Sequence, residues 1–207
     1  MKQRENRKKG NFILDLDQTL ISAEPCEEYD FKKNKQKAKK FVFHNMDNYY
    51  IVFERPGLQK FLTYLFDNFN VSIWTAATKD YALFIIDKII IAGNTNRKLD
   101  YIFFSYHCDI SKKLKNNTKN LAVLWDIYKL KEFNQDNTVI LDDYDEVQNT
   151  QPKNCIAAKP FEFKDENSNE DNFLKDLIDK LRDMKERLSK DKSLRKSVKK
   201  INKTIKT

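Results

Sequence analysis

Residues Asn11 to Leu20 read NFILDLDQTL. Phe12, Ile13 and Leu14 form an apolar run without alternation, the pattern of a strand buried on both faces of a parallel sheet. Asp15 and Asp17, with Leu16 between them, fall where that strand ends and the chain turns outward, and Thr19 follows. Open α/β sheets bind their ligands at the carboxyl ends of their strands. Residues two apart on a strand share a face, while the turn lets the second carboxylate swing above the first. Two acids this close repel unless a proton or a cation lies between them. The pair therefore implies a hard cation with oxygen ligands, most simply Mg²⁺. One carboxylate can then act as a nucleophile while its neighbour donates and accepts protons. A D-x-D pair alone reads more readily as two solvated acids at a strand end; the apolar run before it and the Thr-Leu after it reverse that reading.

Two further apolar runs repeat the pattern of strand then polar signal. Val71 to Trp74 ends in Thr75-Ala76-Ala77-Thr78, and Thr138 to Leu141 ends in Asp142-Asp143. Amphipathic helices alternate with them. Leu58, Phe61, Leu62, Leu65, Phe66 and Phe69 lie at helical spacing after the breaker Arg55-Pro56-Gly57, and a second helix is predicted over 79–92. A third is predicted over 121–133, and a long one begins at Phe173 and carries Leu174, Leu177, Ile178, Leu181, Met184 and Leu188 on its apolar stripe. This alternation predicts an α/β fold, a Rossmann-like, doubly wound, mostly parallel sheet. Phe41 to His44 and Tyr49 to Glu54 flank Asn45-Met46-Asp47-Asn48 and read as a hairpin. Ser22 to Lys40, with Lys32, Lys33, Lys35, Lys37, Lys39 and Lys40 crowded together, reads as a surface loop. Tyr101 to His107 reads as a strand and Ile110 to Thr118 as a Lys/Asn-rich loop.

The chain has 207 residues, enough for one domain with some extension. Only three Gly and no GxGxxG or GxxxxGK[ST] pattern argue against a glycine-rich phosphate loop. Cys26, Cys108 and Cys155 are odd in number, widely spaced and free of CxxC, so they read as reduced thiols. With no signal segment and no spanning apolar run, the expectation is an intracellular protein, cytoplasmic or nuclear, with no membrane partner. The formal net charge of +8 is concentrated at one end. Lys180 to Thr207 hold 12 basic and 3 acidic residues, and the remainder sums to −1. The organisation predicted is a flexible basic arm over 1–10, a catalytic domain over 11–188, and a basic tail over 189–207 that lies beyond the core. Such a tail suits an acidic partner such as nucleic acid, or plain solvation.

The string FILDLDQTL resembles the first motif of the haloacid dehalogenase (HAD) superfamily, in the form used by its FCP/SCP-type CTD-phosphatase branch, the NLI-interacting-factor-like phosphatases. Gln18 stands where that branch usually carries Glu. The resemblance covers about residues 11–163 and includes RPGL at Arg55, WTAAT at Trp74 and NTVILDD at Asn137. TKNLAVLW and QPKNCIAAKPF are similar to segments of the proteasome-associated phosphatases that carry a ubiquitin-like domain, a domain with no counterpart in these residues.

The resemblance implies a HAD-like phosphatase domain and a role for each motif residue. Asp15 would be the nucleophile, and Asp17 the acid and then base, its backbone carbonyl also on the metal. The Thr75 hydroxyl would bind a phosphoryl oxygen. Asp143 would be the metal ligand of the fourth motif, and Asp142 would orient the metal shell and the motif Lys; Asp15, Asp17, Asp142 and Asp143 together form the metal set. Thr19 would support the loop with its hydroxyl. The third motif needs a Lys to compensate phosphoryl charge; Lys119 is the candidate, with Lys112, Lys113 and Lys115 as competitors. His44 and His107 read as structural, and Trp74 and Trp125 as core. The segment between the second and third motifs, about Tyr101 to Asn117, is short, so any insertion for gripping a CTD substrate is small.

The function implied is a Mg²⁺-dependent phosphatase that hydrolyses phosphoserine or phosphothreonine of a protein or peptide through an aspartyl-phosphate. Two other readings use the same residues. The chain could act on nucleic-acid ends or small phosphate esters, which a basic tail would serve, or be a non-catalytic adaptor, against which the intact acids argue.

Overall fold

The structure, a computed structural model, describes residues 10–188 and 194–205. The arm expected over 1–10 falls, apart from Gly10, outside the described residues. β1 (Asn11–Leu14), β5 (Asn70–Trp74), β6 (Leu99–Phe103), β7 (Thr138–Asp142) and β8 (Cys155–Ala157) form one sheet in the order β6-β5-β1-β7-β8, and every pairing in it is parallel. Both faces of β1 are covered, as its unbroken apolar run requires. Phe12 and Leu14 point into one apolar layer with Val71, Ile73, Val139 and Leu141. Ile13 points into the other with Trp74, Ile140 and Leu124. The chain builds outward from β1 through β5 to β6, then crosses back to β7, so the sheet reverses direction between β1 and β7.

α2 (Leu58–Asn68) buries Leu58, Phe61, Leu62, Leu65 and Phe66, the face that its spacing predicted. Gly57 begins it with φ 82°, a left-handed conformation that costs glycine little. α3 (Lys79–Ile85) continues into a π-helical turn over Ile86–Ile91. α6 (Phe173–Leu188) lies where the apolar stripe placed it, with Leu174, Leu177 and Leu181 in the core. Among the described residues no helix is long and apolar enough to cross a membrane.

Several segments differ from their sequence reading. The polar stretch 22–40 is not a loop. It contains β2 (Ile21–Pro25) and α1 (Phe31–Ala38), the latter capped by Asp30, whose side chain accepts from the backbone N–H groups of Lys32 and Lys33. β2 pairs antiparallel with β4 (Tyr50–Glu54), which also pairs with β3 (Phe43–Met46), giving a separate three-stranded sheet. Asp47 and Asn48 turn that hairpin with φ of 47° and 62°. This sheet follows the first motif. The segment 105–118 is instead mostly α4 (Ser105–Lys115), with His107 on the helix. The run of aromatic and apolar residues in YIFFSYH mimics a longer strand, but β6 stops at Phe103. The helix expected over 121–133 shrinks to a π turn, Val123–Ile127.

The basic end is the largest correction. α7 (Leu194–Ile205) packs on β7, β8 and α6, with Leu194, Val198 and Ile201 buried in the main core. Asn202 joins the edge strand from the side: its Nδ2 donates to Cys155 O (2.8 Å) and its Oδ1 accepts from Ala157 N (3.2 Å). A Cβ on Gly10 would meet Leu194 Cδ1 at 3.0 Å, which ties α7 to the start of β1. The lysines conceal an apolar stripe at Leu194, Val198, Ile201 and Ile205, whose spacing is helical. Lys199, Lys200 and Lys203 remain exposed on the outer face. Truncation after Ser189 is therefore expected to destabilise the domain strongly. Three buried apolar side chains at ~1.5–3 kcal/mol each amount to a large part of a typical domain's stability. An unchanged urea midpoint for the truncated protein would show that α7 contributes nothing.

Candidate active site

The site lies at the carboxyl ends of β1 and β7, where the sheet reverses direction, the place where open α/β sheets bind ligands. Leu14 lies opposite Leu141 and the Asp15 N–H donates to Leu141 O (3.0 Å), so Asp15 and Asp142 emerge from neighbouring strand ends. Between them comes Lys119, only 4% exposed, whose Nζ donates to Asp15 Oδ1 (2.5 Å) and Asp142 Oδ2 (2.7 Å). Its backbone is clamped from both sides. Gln151 Nε2 donates to Lys119 O (2.7 Å), and Asn117 Oδ1 accepts from Lys119 N (3.2 Å). Asn117 and Thr118 are themselves tied to Glu146 on α5 (Asp145–Thr150). Of the competing lysines, Lys112 and Lys113 are exposed and Lys115 pairs with Asp126 at 2.8 Å.

Asp143 completes the group. Its Oδ1 accepts from Thr19 Oγ1 (2.9 Å), the loop support that the resemblance implied for Thr19. Asp15, Asp142 and Asp143 can each offer an oxygen within 4.8 Å of the other two. Two Mg–O bonds on opposite sides of one ion span roughly 4 Å, so the three carboxylates could close on a single small cation with a slight inward adjustment. The charge balance points the same way, with three carboxylates facing one ammonium. Burial alone would lower the Lys119 pKa, but Asp15 and Asp142 outweigh it and hold the ammonium charged. Burial, then the charge of Asp15, pushes both Asp142 and Asp143 upward. One lysine does not neutralise the cluster, and a divalent cation would.

Asp17 stands apart from this group. Its Oδ1 accepts a 2.5 Å hydrogen bond from the Tyr81 hydroxyl of α3, and it is not among the acids that come within ligating distance of one another. Its side chain thus does not join the metal set, and only its backbone remains for that purpose. Burial and the charge of Asp15 outweigh the Tyr81 hydrogen bond and raise its pKa to about 6. A carboxyl that titrates near neutrality suits acid–base work. The turn itself is tight: Gln18 sits at φ 56°, its N–H donates to Ile21 O, and Phe161 N donates to Gln18 O.

Thr75, at the end of β5, is buried, and its Oγ1 accepts from Ala77 N (3.0 Å), which leaves the hydroxyl proton to donate. His44 pairs with Glu54, and His107 Nδ1 accepts from Phe104 N, so both serve structure. Trp74 is fully buried and Trp125 half-buried against the same layer.

Sequence reading missed two supports. Arg55 is buried, donates to Thr19 O (2.9 Å) and makes a bidentate pair with Asp171, thereby bracing the catalytic turn against the start of α6. Tyr81 was invisible among the aromatics. Its one available signal is its position six residues after Thr75, on the helix that follows the second motif.

The sequence profile of the NLI interacting factor-like phosphatases matches residues 11–195. The chain is 47% identical over 175 residues to CTD phosphatase-like protein 355R of Invertebrate iridescent virus 6, covering 83% of this chain and 96% of that protein. It is 42% identical over 176 residues to the protein of the same name in Invertebrate iridescent virus 3, covering 82% and 94%. Among solved structures, that of Fcp1, an essential RNA polymerase II CTD phosphatase, superposes with a TM-score of 0.56 at 20% identity. The match covers 85% of this chain and 62% of Fcp1, so the chain spans less than two thirds of that protein, and at this identity the likeness concerns the fold. The chain belongs to the NLI interacting factor-like phosphatase family, on the HAD-type fold of the CTD phosphatases, and is a phosphatase.

Proposed function

We propose that the chain is a Mg²⁺-dependent protein phosphatase that removes phosphate from phosphoserine or phosphothreonine through an aspartyl-phosphate. The observation that carries this reading is the buried Lys119 bridging Asp15 and Asp142, with Asp143 alongside and Asp17 held separately. A carboxylate of Asp15 attacks phosphorus and the ester P–O bond breaks. Asp17 delivers a proton to the leaving oxygen of the serine or threonine. Water then attacks the aspartyl-phosphate, Asp17 takes its proton, and cleavage of the new P–O bond restores Asp15 and frees phosphate. Lys119 and the Thr75 hydroxyl compensate charge on the phosphoryl oxygens. Asp15, Asp142 and Asp143 would hold the metal, whose contribution is charge compensation and alignment.

The protein substrate is favoured by the surroundings. The residues after the first motif form only a small three-stranded sheet with one helix, a modest cover of the kind that suits a phosphate carried on an extended peptide. Turnover of a phosphopeptide, a 3′-phosphorylated oligonucleotide and a small phosphate ester should be measured side by side. The phosphopeptide is expected to be the best substrate, and preference for the oligonucleotide would overturn the substrate class. Activity is expected to vanish in EDTA and return with Mg²⁺. Full turnover in chelator would eliminate the metal, and failure of BeF₃⁻ to inhibit would count against the aspartyl-phosphate.

A further inference from the structure

We propose that Tyr81 is a positioning residue for the reaction, holding the Asp17 carboxylate by one oxygen so that the other faces the leaving group. The proposal rests on the acid–base role of Asp17 given above. Its basis is the isolation of that side chain. Asp15, Asp142 and Asp143 are gathered around Lys119 and one another, whereas Asp17 takes its one side-chain hydrogen bond among the described residues from Tyr81. A carboxylate on a tight turn has two torsions to settle, and nothing on its own loop settles them. Left free, it would spread over several rotamers and face the leaving group only part of the time.

Tyr81 is built to resist this. It lies on α3, which starts four residues beyond Thr75, so the helix that follows the phosphate-binding signal also carries the restraint. Its ring is half-buried and stands edge-on to Tyr50 of β4, with centroids 5.5 Å apart and planes at 83°. The hydroxyl is thus fixed between the main sheet's helix layer and the three-stranded sheet. Burial, followed by the neighbouring Asp17, raises its pKa well above the ordinary tyrosine value, so it stays a donor at every working pH. Because it uses only Oδ1, a second oxygen remains for proton transfer.

The test is a double-mutant cycle on Tyr81→Phe and Asp17→Asn, assayed with p-nitrophenyl phosphate and phenyl phosphate, with thermal midpoints recorded for every protein. In the wild-type background Tyr81→Phe is expected to lower kcat roughly ten- to hundredfold, a fraction of the roughly 10²–10⁴-fold value of acid–base help. KM and the midpoint should stay near wild type. The loss should be larger for phenyl phosphate, whose leaving group needs the proton more. In the Asp17→Asn background the same change should cost almost nothing, because the amide that Tyr81 would still hold carries no proton for the leaving group. An equal loss in both backgrounds, or none in the wild type, would overturn the proposal while leaving the role of Asp17 intact. Wild-type turnover by Asp17→Asn would instead overturn that role, and this proposal with it.

Discussion

Asp15→Asn is expected to abolish turnover while preserving the fold. The amide is close in shape to the carboxylate but cannot attack phosphorus, and removal of a covalent nucleophile costs on the order of 10⁴-fold or more. The loss should appear in kcat with every substrate, because the chemical step itself is removed. Stability should respond in the opposite sense. Asp15 adds to the repulsion that raises Asp17, Asp142 and Asp143, so neutralising it relieves a buried cluster of like charges. In metal-free buffer the thermal midpoint should be equal to or above that of the wild type. Normal hydrolysis of p-nitrophenyl phosphate by folded Asp15→Asn protein would refute the nucleophile assignment.

Lys119→Met should damage stability and activity together. The methionine fills similar volume, but it leaves Asp15 and Asp142 buried without the cation that both contact. Removing one partner of a buried pair typically costs about 3–5 kcal/mol. The sign with pH follows from Asp142, whose pKa is raised to about 7 even with Lys119 present. A carboxyl whose folded pKa exceeds its unfolded one contributes stability at low pH that is lost as pH rises through the folded value. Without the lysine that folded value moves higher still. The deficit of Lys119→Met should therefore be largest in metal-free buffer above about pH 7 and shrink as the acids become protonated. Mg²⁺ should restore part of the stability but little of the turnover. Equal urea midpoints for wild type and variant at pH 8 without metal would show that Lys119 does not hold the cluster together.

Much of this was legible in the chain alone, for a local reason. An apolar run without alternation can satisfy itself only between two covered faces, so NFIL, NVSIW and TVILD announce parallel strands whatever their neighbours are. The residues that follow such strands must lie at one edge of the sheet. Asp15, Thr75 and Asp142-Asp143 could thus be assigned to one site before any distance was known. Helices with a clean stripe, such as α6, were equally plain, since their periodicity is a property of the segment itself.

What the tertiary structure decided were the matters that depend on partners distant in the chain. Lys119 differs from Lys112, Lys113 and Lys115 only because Gln151 and Glu146 clamp its loop over the ends of β1 and β7. The segment 22–40 became a strand and a helix because β4 offers β2 a pairing edge that no local pattern records. The Asp17 carboxylate stands apart from the other three acids because Tyr81, on a helix after another strand, takes it. The lysine-rich end joined the core because its few apolar residues fall on one helical face and β8 presents an uncovered flank to receive them. Local sequence determines which groups must leave water and at which sheet edge the acids gather. Which lysine, tyrosine or helix meets them is a matter of long-range packing, where the free energy of burial and pairing belongs to neither segment until both are in place.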